Sequence, residues 1–310
     1  MAKSITGRFA PSPSGRMHLG NAFSCLLAWL SARSAGGRII LRHEDLDPRR
    51  CRREYALQLE EDLLWLGLDW DEGGSAGGER YFQSSRRDIY EFYLEKLREK
   101  GLLYPCFCSR ADLHAASAPH ASDGSLIYSG ACRNLSPEQR QSHSRQRAPA
   151  LRLKVPDEEI VFSDGVYGKY RVNLCRDCGD FILRRSDGVH AYQLAVAADD
   201  GLMGVTQVVR GRDLLSSTPW QLYLQRELGF PAPEYFHVPL LVGAGGRRLS
   251  KRDGDLDLGA LRASGISPCR VTGRLAFLAG LTDREEALSP EELLPLFDWS
   301  RVKKEDIRVK

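Results

Sequence analysis

Two loops and a group of cysteines carry the residue types in this chain that could do chemistry. From Arg8 to Asn21 the sequence reads RFAPSPSGRMHLGN. A short strand over Ile5–Phe9 leads into a loop stiffened by Pro11 and Pro13, and a helix opens near His18–Gly20. A helix N-terminus at the carboxyl end of a strand presents unpaired N–H groups and a partial positive charge, a setting that suits phosphate. His18 can donate to phosphate oxygens there, and Gly20 lets a base or ribose lie against the backbone. Far downstream, Gly245–Arg252 reads GGRRLSKR. A glycine loop carrying Ser250 and Lys251 can close over a triphosphate and supply charge where it develops in a transition state. Each segment also has an ordinary reading, as a turn with one histidine at a helix start and as a solvated basic loop.

Cys106 and Cys108 lie in YPCFCSR and Cys132 in YSGACR. Clustered thiols in a reducing compartment point to zinc before a disulfide. Spacing leaves the fourth ligand open among His114, His120, Tyr128 and His143. Cys175 and Cys178, in CRDC, have the better knuckle spacing and could complete a four-thiol site or hold a second metal. They are expected to have no metal role. Cys25, Cys51 and Cys269 read as ordinary semi-buried thiols.

The elements that must position these residues follow from periodicity. Leu19, Phe23, Leu26, Leu27 and Leu30 recur at helical spacing until Gly36-Gly37, and RIILRH at 38–43 is the next strand, which makes a βαβ unit. Tyr55–Leu68 and Ile89–Lys100 read as helices. Residues 111–150 lose apolar periodicity, as a linker or an inserted module without a large core of its own would. Strands resume at Leu151–Val155, Ile160–Phe162 and Phe181–Arg185, followed by a Val205–Arg210 strand and a Leu214–Leu228 helix. Beyond Lys251 the pattern is mostly helical and ends in a charged tail. With 310 residues, 42% of them apolar, the chain can bury a large core without disulfide staples. The composition excludes collagen, wholesale disorder and a small secreted scaffold. MAKSITGRF lacks the apolar core of a signal peptide, and no apolar run approaches the ~20 residues of a membrane span. The chain is therefore expected to be soluble, cytoplasmic and without membrane partners. A net charge of +3 excludes no partner.

The first segment resembles the HIGH signature of class I aminoacyl-tRNA synthetases, and more narrowly the RFAPSPTG…HIG opening of the glutamyl-tRNA synthetases. GRRLSKR is similar to the KMSKS loop of the same class, about 230 residues further on. Asn21 and Arg248 depart from the usual residues of the two motifs. The resemblance implies an α/β fold: a Rossmann-like nucleotide-binding domain split by a zinc-bearing insertion, with a short helical C-terminal module. The corresponding division is 1–105, first half of the catalytic domain; 106–188, inserted zinc module; 189–252, second half; and 253–310, helical module. It implies ATP with Mg²⁺ and L-glutamate as substrates, and one structural Zn²⁺ on Cys106, Cys108, Tyr128 and Cys132, which match a C-x-C…Y-x-x-x-C pattern. His18, Gly20, Ser250 and Lys251 fall at the ATP-contacting positions. The glutamate pocket maps onto Arg8, Phe9, Ala10, Pro11 and Ser12, with Glu44, Tyr192 and Arg210. Glu44 is expected on the substrate ammonium and Arg8 on the distal carboxylate. Taken singly, each of Arg8, Glu44, Tyr192 and Arg210 is explained more readily by a buried ion pair or a surface charge than by a pocket.

A discriminating glutamyl-tRNA synthetase carries a large helical domain that reads the anticodon, whereas about 60 residues follow Lys251. Because the motifs span the sequence, the chain is expected to be complete. With EDLDPRR and the cysteine set, this arrangement resembles the short branch of the family that activates glutamate without tRNA and transfers it to queuosine at the wobble position of tRNA(Asp). Trp220, Arg212 and the basic tail are candidate contacts to an anticodon loop, whose single-stranded bases are accessible. A monomer is expected. The alternatives are a minimal glutamyl-tRNA synthetase charging the 3′ end of tRNA(Glu), a non-catalytic tRNA-binding paralogue, and a small-molecule nucleotidylyltransferase.

Overall fold

The computed structural model describes residues 4–109, 112, 127–243, 245–246 and 257–309. Strand β1 (Thr6–Phe9), helix α1 (Leu19–Ser34) and strand β2 (Arg38–Leu41) form the expected βαβ unit. The two strands are parallel, with Thr6 opposite Arg38 and Phe9 opposite Leu41. Helix α1 buries Leu19, Phe23, Leu26, Leu27 and Leu30, the residues its spacing marked. Gly37 follows it so closely that a Cβ there would sit 2.5 Å from the Ile5 carbonyl oxygen, which is why the return turn needs glycine. Helix α2 (Arg53–Trp65), strand β3 (Glu72–Gly73), parallel to β2, and helix α3 (Arg87–Glu99) come next.

Strand β4 (Leu103–Cys106) leaves this layer. After helix α4 (Pro137–Gln146), which buries nothing, the chain forms β5 (Ala150–Leu153), the hairpin β6 (Glu159–Asp164) and β7 (Gly168–Asn173), and β8 (Phe181–Arg184). An antiparallel sheet in the order β4-β5-β8 results. It does not stand alone: Leu151, Leu153 and Leu183 pack in one apolar cluster with Tyr90, Leu94 and Leu97 of α3. The cluster also takes in Leu194 of helix α5 (Tyr192–Leu202) and, beyond strand β9 (Gln207–Gly211), Leu224 of helix α6 (Thr218–Leu228).

Strand β10 (Glu234–Val238) pairs in parallel with β9 and meets β6, giving the order β7-β6-β10-β9. The Thr206 N–H donates to the Thr6 carbonyl, and the Thr6 N–H to the Thr206 hydroxyl, so β9 lies beside β1. Successive connections leave β1 on opposite sides, toward β2 and toward β9. That makes the carboxyl ends of β1 and β9 the crevice where open α/β sheets bind ligands.

The C-terminal part is not simply helix and tail. Strand β11 (Leu241–Val242) precedes helices α7 (Leu258–Ala263), α8 (Pro268–Ala279) and α9 (Pro290–Leu293). The expected charged tail contains strand β12 (Ile307–Arg308), parallel to β11. Val302, Ile307 and Val309 are buried in the core that holds α1, and the half-buried Trp299 packs against it. Lys and Glu neighbours hid this alternation in the sequence. No helix among the described residues is long and apolar enough to cross a membrane.

Candidate active site

The loop from β1 to α1 is set by short-range bonds. His18 is the N-cap of α1, its Nδ1 accepting from the Asn21 N–H at 3.3 Å while the Asn21 side chain accepts back from the His18 N–H. This reciprocal cap explains Asn21. It also places the imidazole proton on Nε2, because Nδ1 is already an acceptor. A Cβ on Gly20 would lie 3.0 Å from His18 Cε1, so glycine there leaves room for the ring. The loop is clamped from the far end of the chain: the Leu258 N–H donates to the Met17 carbonyl, and Asp257 bridges to His18.

Behind this loop lies a cavity of about 730 Å³ at the carboxyl ends of β1 and β9, within the roughly 300–1,000 Å³ usual for small ligands. Arg8, Phe9, Ala10, Pro11, Ser12, His18, Gly20, Glu44, Tyr192 and Arg210 all line it, together with Arg16, Asn21 and Arg50. The Phe9 side chain itself packs in the core.

Two of the lining residues, Arg8 and Glu44, belong to a set of buried charges that underlies the cavity. Arg42 is completely buried, 2.8 Å from Asp200, 3.1 Å from Glu44 and 3.8 Å from Asp199. Asp199 also takes Arg86 at 2.7 Å and the Tyr90 hydroxyl at 2.8 Å. Arg8 lies 3.9 Å from Asp200 and donates one N–H to the Val209 carbonyl at 2.9 Å. Its Nε is buried with no acceptor among the described residues. Burial pushes the Glu44 carboxyl above its ordinary range, with Arg42 and Arg8 opposing. Burial likewise raises the Tyr192 hydroxyl, and the Glu44 charge adds to the rise. Arg210 differs from Arg8: its donors go to His237 Nε2, Gln221 Oε1, the Leu214 carbonyl and Thr218 Oγ1. Four of its five N–H groups are thereby used.

At the end of β4, Cys106, Cys108 and Cys132 bring their sulfurs within 4.8 Å of one another. The Tyr128 hydroxyl lies 3.4 Å from Cys106 Sγ and 3.6 Å from Cys108 Sγ, and Cys108 and Cys132 are 3.6 Å apart. A tetrahedral ion with ~2.3 Å sulfur and ~2.0 Å oxygen bonds needs edges of about 3.8 and 3.5 Å. The three edges formed by these distances match that spacing, and the donor set of three thiols and a phenol oxygen is one that suits zinc. Burial would push the Cys106 thiol up, but bonds from Tyr128 and the Arg152 guanidinium hold it below its ordinary value. Burial drives Cys108 up to about 11. Cys178 is buried and Cys175 exposed, and neither is part of this cluster.

The family model "tRNA synthetases class I (E and Q), catalytic domain" matches residues 4–308. The chain belongs to that synthetase family. Among its relatives, the glutamyl-Q tRNA(Asp) synthetase of Symbiobacterium thermophilum is 52% identical over 98% of this chain and 96% of its own length. The protein of the same name from Nitratidesulfovibrio vulgaris is 50% identical over 94% and 91%. The crystal structure of a glutamate tRNA ligase from Elizabethkingia meningosepticum, in complex with its amino acid, superposes with a TM-score of 0.83 at 31% identity. It covers 99% of this chain and 67% of that one. The chain thus has the mixed α/β catalytic fold of a class I synthetase and is a ligase of that type.

Within this synthetase the described residues leave two predicted positions aside, since Ser250 and Lys251 lie outside them, as do Arg248, His114 and His120. Arg212 is held by Asp306 at 2.6 Å, and the Trp220 indole donates to the Gly179 carbonyl at 3.0 Å. Sequence reasoning missed Arg42, Asp199, Asp200, Asp164 and His237. The one available signal was the pair of acids closing the otherwise apolar α5 segment.

Proposed function

We propose that this synthetase activates L-glutamate with ATP and Mg²⁺, without tRNA, and transfers it to queuosine at the wobble position of tRNA(Asp). The observation that carries the activation step is the crevice in which a phosphate-type loop faces Arg8 and Glu44 across one cavity. The α-carboxylate of glutamate is already ionised at neutral pH, so its attack on the α-phosphate needs no general base. Positioning and charge stabilisation then supply the rate. In this reading His18 Nε2–H and the start of α1 hold the phosphates. Ser250 and Lys251 cover them. Glu44 accepts from the substrate ammonium. Arg8, with most of its donors uncommitted, takes the distal carboxylate as a charge-assisted pair, while Arg210 adds one hydrogen bond and its charge. Tyr192 and residues 9–12 complete the wall. Mg²⁺ on the ATP would neutralise the leaving pyrophosphate.

Cys106, Cys108, Tyr128 and Cys132 would hold one Zn²⁺ that fastens the segment after β4 to the β4-β5-β8 sheet. The reading also carries the division at 105, 188 and 252, a cytoplasmic monomer, and tRNA as the macromolecular partner. The acceptor is supported by the near end-to-end match to relatives named for glutamyl-Q tRNA(Asp) synthesis. Similarity to a glutamate tRNA ligase favours a second reading, 3′ charging of tRNA(Glu). Transfer of labelled glutamate onto tRNA from queuosine-making cells and from cells unable to make it separates the two. Label confined to the first pool is expected. Equal labelling of both would replace the acceptor with the 3′ end.

A further inference from the structure

Below the cavity floor, three side chains from three parallel strands stand in a line. Arg210 on β9 lies directly opposite His237 on β10, and Asp164 ends β6 beside Tyr235. All three are buried, at 4%, 0% and 3% exposure. Arg210 Nε is 2.9 Å from His237 Nε2, and His237 Nδ1 is 2.7 Å from Asp164 Oδ2. Arginine Nε can only donate. His237 Nε2 must therefore accept, which leaves the imidazole neutral with its proton on Nδ1, pointing at the carboxylate. That carboxylate is itself fixed, accepting the backbone N–H groups of His237, Val166 and Tyr167 at 2.9–3.0 Å.

The partners of Arg210 give this line a purpose beyond packing. Its four committed donors all go to uncharged acceptors. Among the described residues no carboxylate comes within ion-pair distance of it. Buried cations ordinarily take an acid directly, as Arg42 does with Asp200. Here a neutral imidazole stands between cation and acid. The guanidinium is oriented without its charge being cancelled at contact range, and its remaining N–H belongs to a residue that lines the cavity.

We infer that Asp164 and His237 are positioning residues for amino-acid selection, holding Arg210 in place while leaving its positive charge for the substrate's carboxylate. The pair acts through the tautomer: Asp164 fixes the proton on Nδ1, and so keeps Nε2 an acceptor. The side-chain amide introduced by Asp164→Asn could instead donate to Nδ1, shift the proton to Nε2 and set N–H against N–H at Arg210, as happens when the acid behind a catalytic histidine becomes an amide. This inference rests on the reading of Arg210 as part of the glutamate pocket.

Glutamate-dependent pyrophosphate exchange, with glutamate and ATP varied separately and thermal unfolding followed in parallel, tests it. Asp164→Asn and His237→Leu are expected to raise the glutamate KM tenfold or more and to change the ATP KM less than twofold. His237→Gln, which keeps an acceptor, is expected to restore the glutamate KM to within about threefold of the parent. Arg210→Ala is the control. If it leaves the glutamate KM unmoved, the pocket reading of Arg210 falls. If it raises that KM while Asp164→Asn and His237→Leu do not, the positioning role is overturned. The role is equally overturned if those variants move both KM values together with the unfolding temperature, since packing alone would do that.

Discussion

Glu44→Gln is the substitution that most directly separates binding from folding in this site. The carboxylate stands 3.1 Å from Arg42 and lines the cavity, and in the proposed complex it is the acid that takes the substrate ammonium. Removing one partner of a buried charge pair costs about 2–5 kcal/mol. Gln keeps the shape and one carbonyl oxygen, so the low end applies, about 2–3 kcal/mol, or roughly a 30- to 150-fold loss in kcat/KM for glutamate at about 1.4 kcal/mol per tenfold. Stability should respond far less. The floor holds Arg8, Arg42 and Arg86 against Glu44, Asp199 and Asp200, and after the change Arg42 still has Asp200 at 2.8 Å and Asp199 at 3.8 Å. Gln also relieves a carboxylate that burial already disfavours. A shift of only a few degrees in Tm is expected. The same raised carboxyl predicts that acidification weakens glutamate binding in the parent sooner than an ordinary glutamate would allow, with no such arm in the variant. The assay is pyrophosphate exchange against glutamate concentration at several pH values, beside thermal unfolding. An unchanged glutamate KM, or a loss matched by a Tm drop above about 10 °C, refutes the reasoning.

Other outcomes follow from the same geometry. Gly20→Ala should raise the ATP KM with Tm nearly unchanged: the new Cβ, 3.0 Å from His18 Cε1, displaces the ring and weakens a cap worth about 1 kcal/mol, while alanine in a helix returns a similar amount. Cys132→Ser should remove one equivalent of zinc by metal analysis and lower Tm, and chelation of the parent should do likewise; a full equivalent retained in the variant contradicts the ligand set. Burial holds the His237 imidazole at about 4, down from 6.5. The unfolded chain therefore takes up a proton that the native state refuses across that window, and stability should fall as pH drops from about 6.5 to about 4. His237→Gln should flatten that slope in denaturant titrations.

What could be read from the sequence was local. RFAPSPSGRMHLGN encodes its own turn and cap, so the loop and helix α1 fall where spacing put them, and the three cysteines that spacing grouped do meet, with the Tyr128 hydroxyl, which only the family resemblance singled out, beside them. The charged floor was not legible because it depends on register between distant strands. Arg42, Asp199 and His237 look like any other polar residues until β2, α5 and β10 are laid side by side. Strand β12 was missed for a similar reason: two residues gain their meaning from Leu241 and Val242, more than sixty positions earlier.

The clamp that Asp257 and Leu258 place on Met17 and His18 bears on how the protein is made. Residues 5–41 can form their βαβ unit as soon as they emerge from the ribosome, because its contacts are near in sequence. The loop before α1 makes its own turn and cap early, but its clamp is missing until residue 258 has emerged, and β12 does not close on β11 until residue 307 has. Closing loops of that length slows assembly more than it weakens the product. Fixing that loop is thus one of the last steps the nascent chain completes, and a message broken before residue 257 yields a chain that lacks both the clamp and the part of the α1 core running from Leu258 to Val309.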